Sequence, residues 1–192
     1  MTKIIGLTGG IGSGKSTVAR YLSSKNIPVY IADDEAHKIL NSKTVVSKLT
    51  KLFGNQIIEN DAINRKILAN IVFNEPDKLA ELNAIIHPLV KKHFAAWLKT
   101  KSKYNFVIKE SALLFETGSN ESCDFIVVIT APLEDRIKRT MQRDNISREQ
   151  VIMRINNQMS DEDKIKKSDF VIQNNILDET YTQIENLLKK LK

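Results

Sequence analysis

Apolar residues fall in two rhythms along this chain. Five short runs are continuous or alternating: Ile4 to Thr8, Pro28 to Ile31, Asn105 to Ile108, Phe125 to Thr130 and Phe170 to Ile172. Runs of that length read as strands, and the stretches between them repeat at helical spacing. Strand alternating with helix predicts a parallel sheet covered on both faces. The spacing is uneven. Roughly seventy residues separate the second and third runs, far more than an ordinary crossover needs. That stretch predicts a helical insertion, with one amphipathic helix carrying Val45, Val46, Leu49, Leu52 and Phe53, a second carrying Ile67, Leu68, Ile71 and Val72, and a third carrying Leu79, Leu82, Ile85 and Ile86. His87-Pro88 is read as a break, with Pro88 in the first turn of a longer helix reaching about Lys101 and turning Val90, Phe94, Trp97 and Leu98 inward.

The first strand leads into Gly9-Gly10-Ile11-Gly12-Ser13-Gly14-Lys15-Ser16-Thr17, which fits G-x-x-x-x-G-K-[ST] in full. Lys15 to Lys25 then places Val18, Ala19 and Leu22 on one helix face. Glycines let successive N–H groups converge on phosphate oxygens, and a helix N-terminus adds partial positive charge. Gly10, Ile11, Gly12, Ser13, Gly14, Lys15, Ser16 and Thr17 are therefore candidate ATP-binding positions, with Lys15 reaching the β- and γ-phosphates and the Ser16 hydroxyl a ligand of Mg²⁺. The competing reading is a glycine-rich turn without a ligand.

At 192 residues the chain suits one well-cored domain with an insertion. It offers no apolar stretch of signal or membrane-span length and no Cys/His metal cluster, so the expectation is a cytoplasmic enzyme. Cys123 precedes an apolar run and reads as a buried, inert thiol. The formal charge is +6, and between Arg136 and Arg154 six cations face two acids. Interleaved aromatics, expected of a single-strand binder, are absent there, so neither nucleic acid nor membrane is an expected partner. Lys189, Lys190 and Lys192 read as a solvated helix end.

Phosphoryl transfer asks for few further parts. Asp33 lies just past the second strand, where carboxyl ends of parallel strands share the crevice of the phosphate loop. It is read as the carboxylate facing the acceptor hydroxyl, as the N-cap of a helix beginning near Glu35, or both; Asp34 is an equal candidate by spacing. Arg136, Arg139 and Arg143 follow a 3 and 4 spacing and share a helix face, which suits either a lid over ATP or a solvated surface. Asp144-Asn145 supplies a turn after them. Glu110, at the end of the third strand, is read as holding Mg²⁺ waters or as a packing or capping residue. His37, His87 and His93 lack metal spacing and read as surface or capping histidines.

Several motifs in order resemble the dephospho-coenzyme A kinase family over nearly the whole chain. They are Leu7 to Ser16; Ala32-Asp33 with Ala36-His37; Asn64-Arg65 followed by Val72-Phe73; Ile86-His87-Pro88-Leu89-Val90; Leu113-Leu114-Phe115-Glu116; Arg139 with Arg143-Asp144; Gln158-Met159; and Asp169 to Asn174. The resemblance implies transfer of the γ-phosphoryl of ATP, with Mg²⁺, to the ribose 3′-hydroxyl of dephospho-CoA. It implies Asp33, Lys15 and Arg139 as catalytic residues, Arg139 and Arg143 as ATP-binding lid residues, and Thr8, Asp33, Arg65, His87 and Leu114 as acceptor-binding. The implied fold is a three-layer α/β P-loop kinase with a five-stranded parallel sheet, a helical acceptor-binding insertion and a short arginine-rich lid. We expect 1–32, 103–135 and 161–192 to form the nucleotide-binding core, 33–102 the acceptor domain and 136–160 the lid, in a monomer. Ile31, Asn64, Ala112, Arg136 and Ile176 depart from that pattern, standing where Asp, Asp, Pro, Gln and Gly are usual. The rival acceptors are a nucleoside monophosphate or a sugar. A switch of the GTPase type lacks its D-x-x-G and N-K-x-D motifs here, and nucleic-acid binding by the basic segment stays a separate reading.

Overall fold

The structure is a computed structural model and describes residues 2–73 and 75–191. Lys192, counted above in the solvated helix end, lies outside the described residues, as does the side chain of Phe73. The chain divides into two compact units, one of residues 1–31 and 101–192, the other of residues 32–100.

The first unit is built on β1 (Lys3–Thr8), α1 (Lys15–Ser24) and β2 (Val29–Ile31) from the first part of the chain. The second part returns with β5 (Phe106–Glu110), β6 (Phe125–Thr130), α6 (Leu133–Asp144), α7 (Arg148–Asn156), α8 (Asp161–Lys166), β7 (Phe170–Gln173) and α9 (Leu177–Leu191). All five strands are parallel, in the order β2-β5-β1-β6-β7. Side chains alternate across this sheet because successive Cβ atoms point to opposite faces. Ile5, Leu7, Val127 and Ile129 meet Val18, Ala19 and Leu22 of α1 and Ile184, Leu187 and Leu188 of α9. Ile126 and Val128 turn the other way, onto Leu114 and Phe115. Each such aliphatic side chain, withdrawn from water, contributes roughly 1.5–3 kcal/mol.

The second unit carries α2 (Ala32–Leu40), α3 (Lys43–Phe53), the hairpin strands β3 (Ile58–Glu59) and β4 (Ala62–Ile63), α4 (Arg65–Phe73) and α5 (Pro76–Lys99). It has its own core of Leu40, Val45, Leu49, Phe53, Ile57, Ile63, Leu68, Val72 and Ile86.

Two expectations are corrected here, and one element is added. The third and fourth helices of the insertion are one helix, α5, with Pro88 inside it rather than at its start. Its apolar stripe runs on through Leu82, Ile86, Leu89, Val90 and Phe94, and packing of that stripe on α2 and α4 outweighs the hydrogen bond that proline removes. The helix after β2 starts at Ala32, so Asp33 belongs to its first turn and is not its N-cap. The hairpin was not expected from the sequence; its two-residue turn, Asn60-Asp61, has both residues in the left-handed region, φ 50° and 61°.

Candidate active site

The glycine loop joins the central strand β1 to α1, and side chains from distant parts of the first unit hold it. Ile11 N–H donates to Oε1 of Gln158 at 2.8 Å, and Nε of Arg136 donates to the Ile11 carbonyl at 2.9 Å. The Asn174 amide donates to the Ser13 carbonyl at 2.8 Å, while its own oxygen accepts from the Thr180 hydroxyl at 3.1 Å. Nη2 of Arg139 donates to the Asn174 carbonyl at 3.2 Å. Gly12 and Gly14 have φ of 77° and 95°, values an L side chain rarely adopts. A Cβ on Gly14 would also run into the Asn174 amide, so backbone shape and packing both require glycine there.

Lys15 opens α1 and donates from Nζ to the Gly9 carbonyl at 2.8 Å. Ser16, the next residue, is exposed. The first turn of α1 carries no acidic residue and no side-chain cap, so its positive end is not neutralised locally. Among the described residues, three buried side-chain polar atoms have no hydrogen-bond partner: Oγ1 of Thr8, Oγ of Ser13 and Nη1 of Arg139. Thr8 immediately precedes the loop, Ser13 is in it, and Arg139 bonds the residue that grips it. An unsatisfied buried polar group costs about 1–3 kcal/mol, and three around one anion-shaped loop point to a ligand that supplies the missing partners.

Arg136, Arg139 and Arg143 differ in setting although they share α6. Arg136 is 5 % exposed, bonded to the loop and ion-paired with Asp161, so it does not face water. Arg139 is half-buried. Arg143 is exposed and binds Asp144 through two hydrogen bonds, 2.7 and 3.0 Å, with Arg154 on the same carboxylate at 2.8 Å. The Arg143 hydrogen bond is the main cause holding the Asp144 carboxyl below its ordinary range. Asn145 ends α6 with φ 51°, the turn expected there.

Glu110 is buried at the end of β5, opposite Leu7 on one side and Ile31 on the other. Leu114 is fully buried against Phe115, Ile126 and Val128, and a Cβ at Gly6 would touch it. The Leu114 side chain is core packing, which leaves its backbone for the acceptor-binding role expected of it. Glu116 nearby accepts from Met159 N–H at 2.9 Å and pairs at 3.2 Å with Lys164, whose side chain is fully buried. Cys123 is half-buried, and burial pushes its thiol above the ordinary value, as an unreactive cysteine requires.

In the second unit, Asp33 and Asp34 are exposed in the first turn of α2, where their charge suits the helix dipole. Arg65 is exposed in the first turn of α4. Asn64 caps that turn, its Oδ1 accepting from Lys66 N–H at 3.0 Å and Ile67 N–H at 3.1 Å, so asparagine performs the capping an aspartate would. His87 is exposed on α5, yet partial burial of its ring lowers its pKa from 6.5 and favours the neutral imidazole. His37 is half-buried on α2, and His93 is exposed on α5 and approaches Glu35 at 3.8 Å.

Asn174 and Gln158 carry loop contacts whose partners lie more than a hundred positions away in the chain, and Asp161 acts on the loop only through Arg136, so no local pattern announces these roles. Among the described residues no helix is long and apolar enough to cross a membrane, and no group of three His, Cys, Asp or Glu side chains is gathered for a metal.

Comparison with known proteins agrees with this architecture. The family model for dephospho-CoA kinase matches residues 3–179. Dephospho-CoA kinase of Fusobacterium nucleatum is 44% identical over 190 residues, covering 98% of this chain and 95% of that protein. The crystal structure of TT1252 from Thermus thermophilus superposes with a TM-score of 0.91 at 35% identity, covering 100% of this chain and 98% of the other. Dephospho-CoA kinase from Campylobacter jejuni gives 0.74 at 30% identity with the same coverage. The chain is a member of the dephospho-CoA kinase family and has the P-loop kinase fold.

Proposed function

We propose that this kinase transfers the γ-phosphoryl group of ATP to the ribose 3′-hydroxyl of dephospho-CoA, giving CoA and ADP, the last step of CoA synthesis. The observation that carries the donor half is the glycine loop gripped at Ile11 and Ser13, with three buried polar atoms unpartnered around it. The family match over residues 3–179 supports the acceptor.

In this reading the loop N–H groups and the first turn of α1 cradle the phosphates. Lys15 exchanges its bond to the Gly9 carbonyl for phosphate oxygens, and Arg139 and Arg143 neutralise charge that builds on the migrating group. The acceptor oxygen bonds to the γ-phosphorus as the bond from that phosphorus to the bridging oxygen breaks. The hydroxyl proton passes to a carboxylate, assigned here to Asp33. A loose transition state needs little proton removal until late, so orienting the hydroxyl is the larger part of that residue's work. Arg65 and His87 are assigned to the acceptor, residues 33–102 to the acceptor domain and 136–160 to the lid.

The donor set fits Mg²⁺. The Ser16 hydroxyl and the Glu110 carboxylate are hard oxygen donors at the head of α1 and the end of β5, and a cation that keeps its waters and takes phosphate oxygens needs no cluster of three side chains. Bound there, Mg²⁺ supplies charge neutralisation on the phosphates.

The test is ADP release with a panel of acceptors. Turnover is expected with dephospho-CoA and not with nucleoside monophosphates or sugars; the reverse would overturn the assignment.

A further inference from the structure

Arg136 is buried on α6 and reaches two partners at once, the carbonyl of Ile11 at 2.9 Å and the carboxylate of Asp161. The other side of the same loop residue is held by Gln158, which accepts from the Ile11 N–H. One residue of the phosphate loop is thus gripped through both its N–H and its carbonyl by side chains from the start of the arginine-rich segment and from just past its end. Gly10 gives a second, independent observation. Its φ is not among the positive values, so its backbone does not demand glycine, but a Cβ there would run into the Arg136 guanidinium. A Cβ on Gly12 would meet the Arg136 carbonyl. The loop and α6 are packed together with Arg136 filling the space that the missing side chain of Gly10 leaves.

From this geometry we infer that Arg136 is a positioning residue for the nucleotide: oriented by Asp161, it fixes the Ile11 peptide so that the loop is shaped for phosphate before ATP arrives. It does not itself touch the nucleotide. Holding the loop in its bound form removes an ordering cost from binding, so the effect falls on ATP affinity rather than on the chemical step. The assignment rests on the reading that the loop binds ATP, and it is independent of which acceptor is used.

The test is ATP binding by calorimetry without acceptor, alongside steady-state kinetics, in R136M, D161N and the double variant. R136M, which keeps side-chain length but has no donor, is expected to weaken ATP binding and raise its KM about ten-fold, the scale of one charge-assisted hydrogen bond. kcat should stay within about three-fold and the acceptor KM should not move. D161N should give a smaller shift in the same direction, and the double variant should be no worse than R136M, because both act through one contact. Exchange of the Ile11 amide should quicken in R136M at unchanged melting temperature. ATP affinity within two-fold of the parent in R136M would overturn the inference. So would a fall in kcat at unchanged ATP KM, or equal losses for ATP and acceptor with a lowered melting temperature. If the parent binds ATP but does not phosphorylate dephospho-CoA, the acceptor reading fails and this one stands or falls on the binding data alone.

Discussion

Two carboxylates compete for one role, and their settings differ. Asp33 is exposed in the first turn of a helix, whereas Glu110 is buried between two neighbouring strands. An exposed group is within reach of an acceptor from solvent, and a buried one is suited to holding waters of a metal. Asp33→Asn is therefore expected to lower kcat by at least about a hundred-fold with ATP binding little changed, the scale of a positioned general base. Asp34 and Glu35 keep the first turn of α2 acidic, so its melting temperature should hold. A near-normal kcat in steady-state assays would move the role to Asp34 or Glu110. His87 gives a pH signature. Its folded-state pKa lies below the unfolded value near 6.5, so the unfolded chain binds the proton more tightly. Its contribution to stability is full above the unfolded value and is lost as pH falls through the folded one. Urea midpoints at pH 7.5 and pH 5 should differ more for the parent than for His87→Gln; equal differences would remove His87 as a source of the slope.

At the level of elements, α5 shows where sequence and packing disagree. Pro88 has no N–H, so the carbonyl of Ala84 one turn earlier loses its helical partner, yet the helix continues to Lys99. Proline was read as a boundary because its local cost is large; the stripe from Leu82 to Phe94 was visible in the same residues and prevailed because it buries apolar surface along the whole helix. Since the Pro88 side chain is exposed, Pro88→Ala should lose no packing and should stabilise the protein by about 1–3 kcal/mol in urea titrations. A destabilised variant would mean that the core of the second unit depends on the proline's geometry. The sheet was easier to read. Alternation in β1 and β6 follows from the pleat alone, and the order of strand and helix fixes parallel pairing. Strands β3 and β4 are two residues each, too short for any periodicity, and only the Asn60-Asp61 turn marks them. The grip of Asn174 on the loop is illegible for a different reason, since it depends on where β7 ends relative to β1 in the folded sheet.

Across the whole molecule, the basic segment looks different once its partners are known. Of its six cations, Arg136 pairs with Asp161, Arg143 and Arg154 with Asp144, and Arg148 with Glu134. Charge that suggested a polyanion-binding face is largely matched inside the first unit, and Arg139 keeps one buried nitrogen without a partner beside the loop. A small anion at the loop answers that arrangement better than a nucleic-acid backbone, which needs a row of accessible cations. The two compact units, each with its own apolar core, make the division of labour measurable by hydrogen exchange. Mg-ATP alone should slow exchange in Ile11 to Thr17 and along α6 and α7, because its phosphates supply partners to groups that lack them. Dephospho-CoA alone should slow exchange in the second unit, at the first turns of α2 and α4 and around His87. Binding of one ligand stabilises the amides whose opening it opposes, by an amount set by its concentration over Kd. Protection by dephospho-CoA confined to residues 101–191 would separate the acceptor from the helical unit and reassign Arg65 and His87 to the structure of that unit alone.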